Sequence, residues 1–119
     1  MCYILWLVVK WFGEIRMLEL ITNPTEKHLS EIKEWMEEES KIGNEGFNRF
    51  WYKIESGFES NELLVLRLNK RVIGFNLFKR LKGVIAFDII EINPKYRKKG
   101  FGQQIIFQSI KHFQAMGFN

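Results

Sequence analysis

Ten consecutive residues, Asn93-Pro94-Lys95-Tyr96-Arg97-Lys98-Lys99-Gly100-Phe101-Gly102, constrain the fold more than any other stretch. The apolar run Val84–Ile92 comes directly before them and reads as a buried strand. Pro94 ends that strand because it supplies no amide to a ladder. Gly100 and Gly102 then open a helical pattern running to about Met116. A strand, a basic glycine turn and a helix thus follow one another without a linker. Amides in the first turn of a helix have no intrahelical partner, and the helix dipole makes that end partly positive. Glycines let the main chain approach a ligand without a Cβ clash. The segment is built to hold a compact anion such as a phosphate.

Charge placement favours the same reading. The chain of 119 residues carries a net charge of +4, and Lys95, Arg97, Lys98 and Lys99 alone match it. A diffuse nucleic-acid surface would spread its lysines more widely. Glu31, Glu34, Glu37, Glu38 and Glu39 make another surface acidic, so a small nucleic-acid-binding protein is the weakest alternative. The 46% apolar and 27% charged residues are those of a globular protein, and the length suits one domain. Eighteen aromatics (11 Phe, 4 Trp, 3 Tyr) imply a substantial core. The lone Cys2 excludes an intrachain disulfide and suits a reducing, cytoplasmic setting.

Upstream, Met17–Thr22 alternates as a strand. Asn23 and Pro24 read as a helix start, with Glu26 completing a capping box. Leu29, Ile32, Trp35 and Met36 follow at helical spacing, and Phe47, Phe50, Trp51, Ile54 and Phe58 form a second helical stripe. Both stripes read as core. Leu63–Leu68, Val72–Lys79 and Val84–Ile92 are strands joined by the short turns Asn69-Lys70 and Lys82-Gly83, an antiparallel meander. In the last helix Ile106, Ile110 and Phe113 align with Gly102, whose missing side chain would let the helix start lie close to the sheet. The fold class is α+β: strand, two helices, three antiparallel strands, helix. Residues 1–16 read as an apolar N-terminal extension to a domain at 17–119. The run Tyr3–Val9 is too short to span a bilayer and lacks the flanks of a signal peptide. It reads as an extra strand or as residues upstream of a start at Met17.

Ile92-Asn93-Pro94 followed by Arg97-Lys98-Lys99-Gly100-Phe101-Gly102 resembles the signature of the GNAT superfamily of N-acyltransferases. That signature is a strand ending hydrophobic-x-P, then R/Q-x-x-G-x-G/A. The resemblance extends through the preceding elements, over about Met17–Asn119. It implies transfer of an acyl group, most often acetyl from acetyl-CoA, to an amine of a small molecule or protein. It also implies that main-chain amides of Arg97, Lys98, Lys99, Gly100, Phe101, Gly102 and Gln103 hold the pyrophosphate. The pantetheine arm would pair with Ile90, Glu91 and Ile92. The side chains of Arg97, Lys98 and Lys99 are expected to surround the same anion.

The reaction needs a base for the amine and a contact for the thioester oxygen, which a bulge amide in the signature strand can supply. The position that carries a glutamate base in some family members is Ala86 here. Asp88 is the substitute: if Val84, Ala86, Asp88 and Ile90 share a face, it lies among apolar neighbours, where its pKa rises. Equally, Asp88 can be a substrate-facing or hydrogen-bonded strand residue. Glu91 reads as solvated. His28 and His112 lack a second ligand at metal spacing, and no H-E-x-x-H, C-x-x-C, Walker loop or G-x-S-x-G occurs.

Family members normally continue with a strand, a helix and two strands, which build the acceptor pocket and often carry a tyrosine acid. The resemblance therefore implies a domain lacking that portion. Three outcomes follow: truncation, completion of the open edge of Val84–Ile92 by self-association or a partner chain, or filling of that edge by Tyr3–Val9. A non-catalytic acyl-CoA-binding or assembly module is the alternative to an enzyme.

Overall fold

A computed structural model describes the backbone of residues 4–11, 14–43 and 46–118, and the side chains of residues 17–43 and 49–118. Five strands form one antiparallel sheet in the order β1 (Ile4–Trp11), β2 (Glu14–Ile21), β3 (Leu63–Leu68), β4 (Arg71–Leu81) and β5 (Val84–Ile92). Two helices, α1 (Glu26–Lys41) and α2 (Gly46–Glu59), cross from β2 to β3. A 3₁₀ turn (Pro94–Tyr96) then leads from β5 into α3 (Phe101–Ala115). The element order expected from Met17 onward is present.

β1 is the extra strand, and its position corrects one expectation. It pairs with β2, with Leu7 opposite Leu18 and Leu5 opposite Leu20. That places it at the far side of the sheet from β5, so Tyr3–Val9 does not fill the β5 edge. Pairing also starts β2 at Glu14, three residues ahead of the alternation read from Met17.

β3 is apolar except for Arg67, because both its faces are covered. Leu64, Leu66 and Leu68 join Leu18, Leu20, Ile73, Phe78, Phe101, Ile105 and Phe113 under α3. Leu63 and Val65 join Ile32, Trp35, Met36, Ile54, Val72, Phe75 and Leu77 under α1 and α2. The result is three layers, with a helix pair on one face and α3 on the other. Leu29, Ile32, Trp35, Met36, Trp51, Ile54 and Phe58 of the two stripes are core as read; Phe50 is partly buried and joins neither cluster, and Phe47 lies outside the described side chains. The β3–β4 turn places Asn69 and Lys70 at φ 48° and 70°, the left-handed pair that a two-residue hairpin requires. The Asn69 carboxamide oxygen accepts from the Met17 amide at 2.9 Å, tying the turn back to β2.

Two helix details differ from the expected ones. α1 starts at Glu26, with Thr25 as N-cap rather than Asn23. The box is closed by His28, whose Nδ1 accepts from the Thr25 amide at 2.9 Å. In α3 the buried stripe is Phe101, Ile105, Ser109, His112 and Phe113, one residue out of phase with the expected one. Ile106 and Ile110 are exposed instead. Phe101 wedges into the sheet core and fixes the rotation. Of the two polar residues this buries, Ser109 is satisfied, because Asn76 Nδ2 donates to its Oγ at 3.1 Å.

Candidate functional site

The candidate site lies where β5, the 3₁₀ turn and the start of α3 meet. β5 pairs only with β4 among the described residues, and the pairing contains a bulge. Leu77 faces Ile89 while Phe78 faces Phe87, so Asp88 is the additional residue. A bulge moves every later side chain to the other face. Ile85, Phe87 and Ile90 accordingly pack against the core under α3, whereas Ile89 packs under the helix pair.

The expected face of Val84, Ala86, Asp88 and Ile90 is therefore broken at Asp88. Its carboxylate is not enclosed by apolar side chains. It lies 3.9 Å from Lys53 Nζ of α2, with about a third of the side chain accessible. The bulge itself supplies what a developing oxyanion needs, a strand amide released from the regular ladder.

Main-chain direction follows from one bond. Asn93 N–H donates inward to the Ile73 carbonyl at 2.7 Å. By alternation Glu91 also faces β4, and Ile90 and Ile92 direct their main-chain groups to the open edge. Of the three residues expected to meet an extended ligand, Glu91 is thus turned away. Its side chain is not simply solvated either. It is half-buried, and burial raises its pKa, with Glu39 adding to the rise and Arg97 opposing it.

Arg97 is the second correction. Its guanidinium is committed to the protein: Nε donates to the Ile92 carbonyl at 2.8 Å, and an Nη meets Glu39 at 3.0 Å and Glu91 at 3.2 Å. It clamps the turn to the end of β5 and to the last part of α1. Its charge is neutralised there and does not add to the anion site.

What remains at the turn still suits an anion. Asn93 Oδ1 accepts from the Lys95 amide at 3.1 Å and sets the 3₁₀ turn. Lys98 at φ 62° and Gly100 at φ 85° then wind the chain into α3 through two left-handed residues. Among the described residues, the amides of Lys98, Lys99, Gly100, Gly102 and Gln103 have no protein acceptor. The Phe101 amide belongs to the same first turn. Successive amides arranged in this way form a concave anion cradle. Lys98 and Lys99 are exposed and have no acidic partner within 4.0 Å among the described residues; Lys99 Nζ lies 5.9 Å from the Tyr96 ring.

Gly102 does not bring α3 close to the sheet, as the sequence reading had it. A Cβ there, or at Gly100, would meet nothing within 4 Å. Both glycines face open space, where a Cβ would intrude on a ligand rather than on the protein. Residues 98–103 consequently fit a phosphate group, through main-chain donors flanked by two unpaired ammonium groups.

Sequence reasoning missed Glu39, Glu91 as partners of Arg97, and Lys53 as partner of Asp88. Glu39 is 58 residues from Arg97, and no local pattern links them. His28 closes the capping box of α1, and His112 is buried beside Phe113 with ring centroids 5.0 Å apart. Burial lowers both imidazole pKa values, aided by Arg67 at His28 and by Arg80 at His112. No group of three metal-ligating side chains occurs among the described residues, and no described helix is long and apolar enough to cross a membrane.

Comparison with known proteins returns one finding. No curated protein and no solved structure matches the chain. A family model described as the acetyltransferase (GNAT) family matches residues 29–119, which run from the first half of α1 through the glycine turn and α3. With most of its length matched, including the turn that resembles the family signature, the chain belongs to the acetyltransferase (GNAT) family.

Proposed function

We propose that this chain binds an acyl-CoA, most often acetyl-CoA, and supports transfer of the acyl group to a primary amine of a small molecule or a protein. The observation that carries the reading is the set of amides at Lys98, Lys99, Gly100, Gly102 and Gln103, which have no protein acceptor among the described residues, beside two lysines with no acidic partner there. In this reading the pyrophosphate sits on those amides, and Lys98 and Lys99 add charge from the rim. The pantetheine arm runs along the open edge at Ile90 and Ile92. The amine nitrogen attacks the thioester carbon, the C–S bond breaks, the thiolate takes a proton, and an amide is formed. In this reading a strand amide at the Asp88 bulge meets the thioester oxygen. Asp88 is the one carboxylate on the strand at that level and is proposed to accept the amine proton, with Lys53 holding it in place.

A second reading is an acyl-CoA-binding or assembly module without turnover. The open edge of β5 favours it, because an apolar strand with unpaired main-chain groups invites pairing with another chain.

Calorimetry with acetyl-CoA, CoA and a short oligonucleotide tests the shared core of both readings. Binding of the two coenzymes but not of the oligonucleotide is expected; a folded, monodisperse sample that ignores CoA would refute both. Charge reversal at Lys98 and Lys99 should weaken CoA binding and leave the fold intact. Thiol release with a panel of amines then separates them, and the enzyme reading fails if no amine raises the rate above buffer.

A further inference from the structure

α2 is pressed onto β4 at Gly57, where a Cβ would collide with Leu77 Cδ1. Beside that contact lies a cavity of about 200 Å³, walled by α2 on one side and by Glu62 and the later half of β4 on the other. Two facts tie it to the bulge. Leu77 and Phe78 line it, and between them the β4–β5 register shifts to leave Asp88 as the additional residue. Lys53 lines it too, and Lys53 Nζ lies 3.9 Å from the Asp88 carboxylate. The cavity thus adjoins the group proposed to take the amine proton, on the face of the sheet that carries the helix pair.

Most of the charges in its walls are already committed. Lys53 is held by Asp88. Glu62 Oε2 accepts from the Arg80 amide at 2.7 Å, capping β4 where it runs past the last β3 pair, Leu63 with Leu77. Lys79 is exposed and has no acidic partner within 4.0 Å among the described residues. The uncommitted charge is therefore positive, and the hydroxyl groups of Tyr52 and Ser56 add donors to the same walls. Such a cavity repels a second ammonium group and attracts an anionic one.

Strand geometry sets the spacing. Lys79 lies opposite Ala86, two residues from Asp88 along β5. At about 3.3 Å per strand residue, the two levels are roughly 7 Å apart. An amine at Asp88 and an acidic group at Lys79 then need a short aliphatic spacer, longer than the single carbon of an α-amino acid. The volume, below the roughly 300–1,000 Å³ of drug-sized sites, limits the rest of the molecule.

We infer that this cavity receives the acyl acceptor, and that the acceptor is a small primary amine carrying an acidic group across such a spacer. The amine faces Asp88, the acidic group meets Lys79, and the spacer lies against Leu77. The acceptor role rests on the acyl-transfer reading; the ligand class rests on the cavity.

Four probes test this on the full chain: 4-aminobutanoate, glycine (the same two groups without the spacer), butylamine (without the acid) and 1,4-diaminobutane (a second ammonium in its place). The readout is the main-chain amide resonances of Gly57 and Lys79. 4-Aminobutanoate should move them saturably and bind about three- to fivefold more tightly than butylamine, the range of one exposed charge pair. Glycine and 1,4-diaminobutane should also bind more weakly than 4-aminobutanoate. Lys79→Glu should reverse the order in favour of 1,4-diaminobutane, a swap that lost packing does not produce. Butylamine or 1,4-diaminobutane binding the unaltered chain as tightly as 4-aminobutanoate would overturn the inference and leave acyl transfer standing. Amides that no probe moves at millimolar concentration would do the same. Thiol release from acetyl-CoA reports separately, and 4-aminobutanoate should raise it most. If 4-aminobutanoate binds here but no amine raises the rate above buffer, the acceptor role falls with the acyl-transfer reading and the binding site stands.

Discussion

Replacing Arg97 by Met separates two roles that a basic residue in a phosphate-binding turn could have. If the guanidinium is a clamp, its loss is first a loss of stability. The bond from Nε to the Ile92 carbonyl is partly buried, and one such bond to a charged donor is worth about 1–1.5 kcal/mol net. The Glu39 side chain is only 11% exposed, so its ion pair loses little to solvent screening and adds about 1 kcal/mol. The Glu91 pair, 40% exposed, adds no more than about 0.5 kcal/mol. The sum is about 2–3 kcal/mol, near 10 °C in Tm for a domain of this size by the usual scaling. Urea titration and thermal melts of Arg97→Met, Glu39→Gln and the double variant check it. The double variant should be destabilised by less than the sum of the singles, with a coupling of about 1 kcal/mol. CoA affinity should fall by less in Arg97→Met than in Lys98→Glu. The opposite pattern, unchanged stability with a large loss of CoA affinity, would refute the clamp and return the guanidinium to the anion.

Further outcomes follow from the same geometry. Lys98 sits at φ 62°, which costs a side-chain-bearing residue about 1 kcal/mol, so Lys98→Gly should raise stability by up to that amount in urea titration while weakening CoA binding through the lost charge. His28 and His112 both have pKa values lowered from 6.5, so the unfolded chain binds the extra protons; their stabilisation is complete above pH 6.5 and is lost as pH falls toward their folded values. Glu91, raised from 4.5, acts in the opposite sense, because the folded state holds its proton longer and stability falls as pH rises through that window. His28→Gln keeps an acceptor for the Thr25 amide and should flatten the pH dependence of the urea midpoint just below pH 6.5. Asp88→Asn should lower the amine-dependent rate and leave CoA affinity unchanged; a variant with full rate would remove Asp88 from the chemistry.

Most of the architecture was legible because its signals are local. The alternation in β3, the Asn69-Lys70 turn, the stop at Pro94 and the two apolar stripes of α1 and α2 each follow from neighbours in sequence. The faults arose where distant parts of the chain decide. In α3, the stripe Ile106–Ile110 is more apolar than the one that is buried. Phe101 nevertheless chooses the rotation, and Asn76 makes Ser109 acceptable in the core. Asp88 was placed by simple alternation, which a single inserted residue defeats; nothing local marks a bulge at that position. The basic cluster was read as four equivalent charges, although Glu39 had already claimed one of them from another helix.

The bulge and the clamp together sharpen what the open edge of β5 can offer to a ligand. With regular alternation through Asp88, Ile90 and Ile92 would point toward the helix pair. With the bulge, Ile90 and Ile92 pack under α3 while their main-chain groups face outward. Of the outward groups, the Ile92 carbonyl is already taken by Arg97. An amide-bearing arm laid along this edge therefore finds its full donor and acceptor pair at Ile90, two residues beyond the bulge amide that would meet a thioester oxygen. In the proposed function this fixes the direction of the ligand, with its phosphate end at the start of α3 and its reactive end beside Asp88. The clamp sets the phosphate end of that site, because the same guanidinium that closes Ile92 also holds the turn whose amides would receive the phosphate.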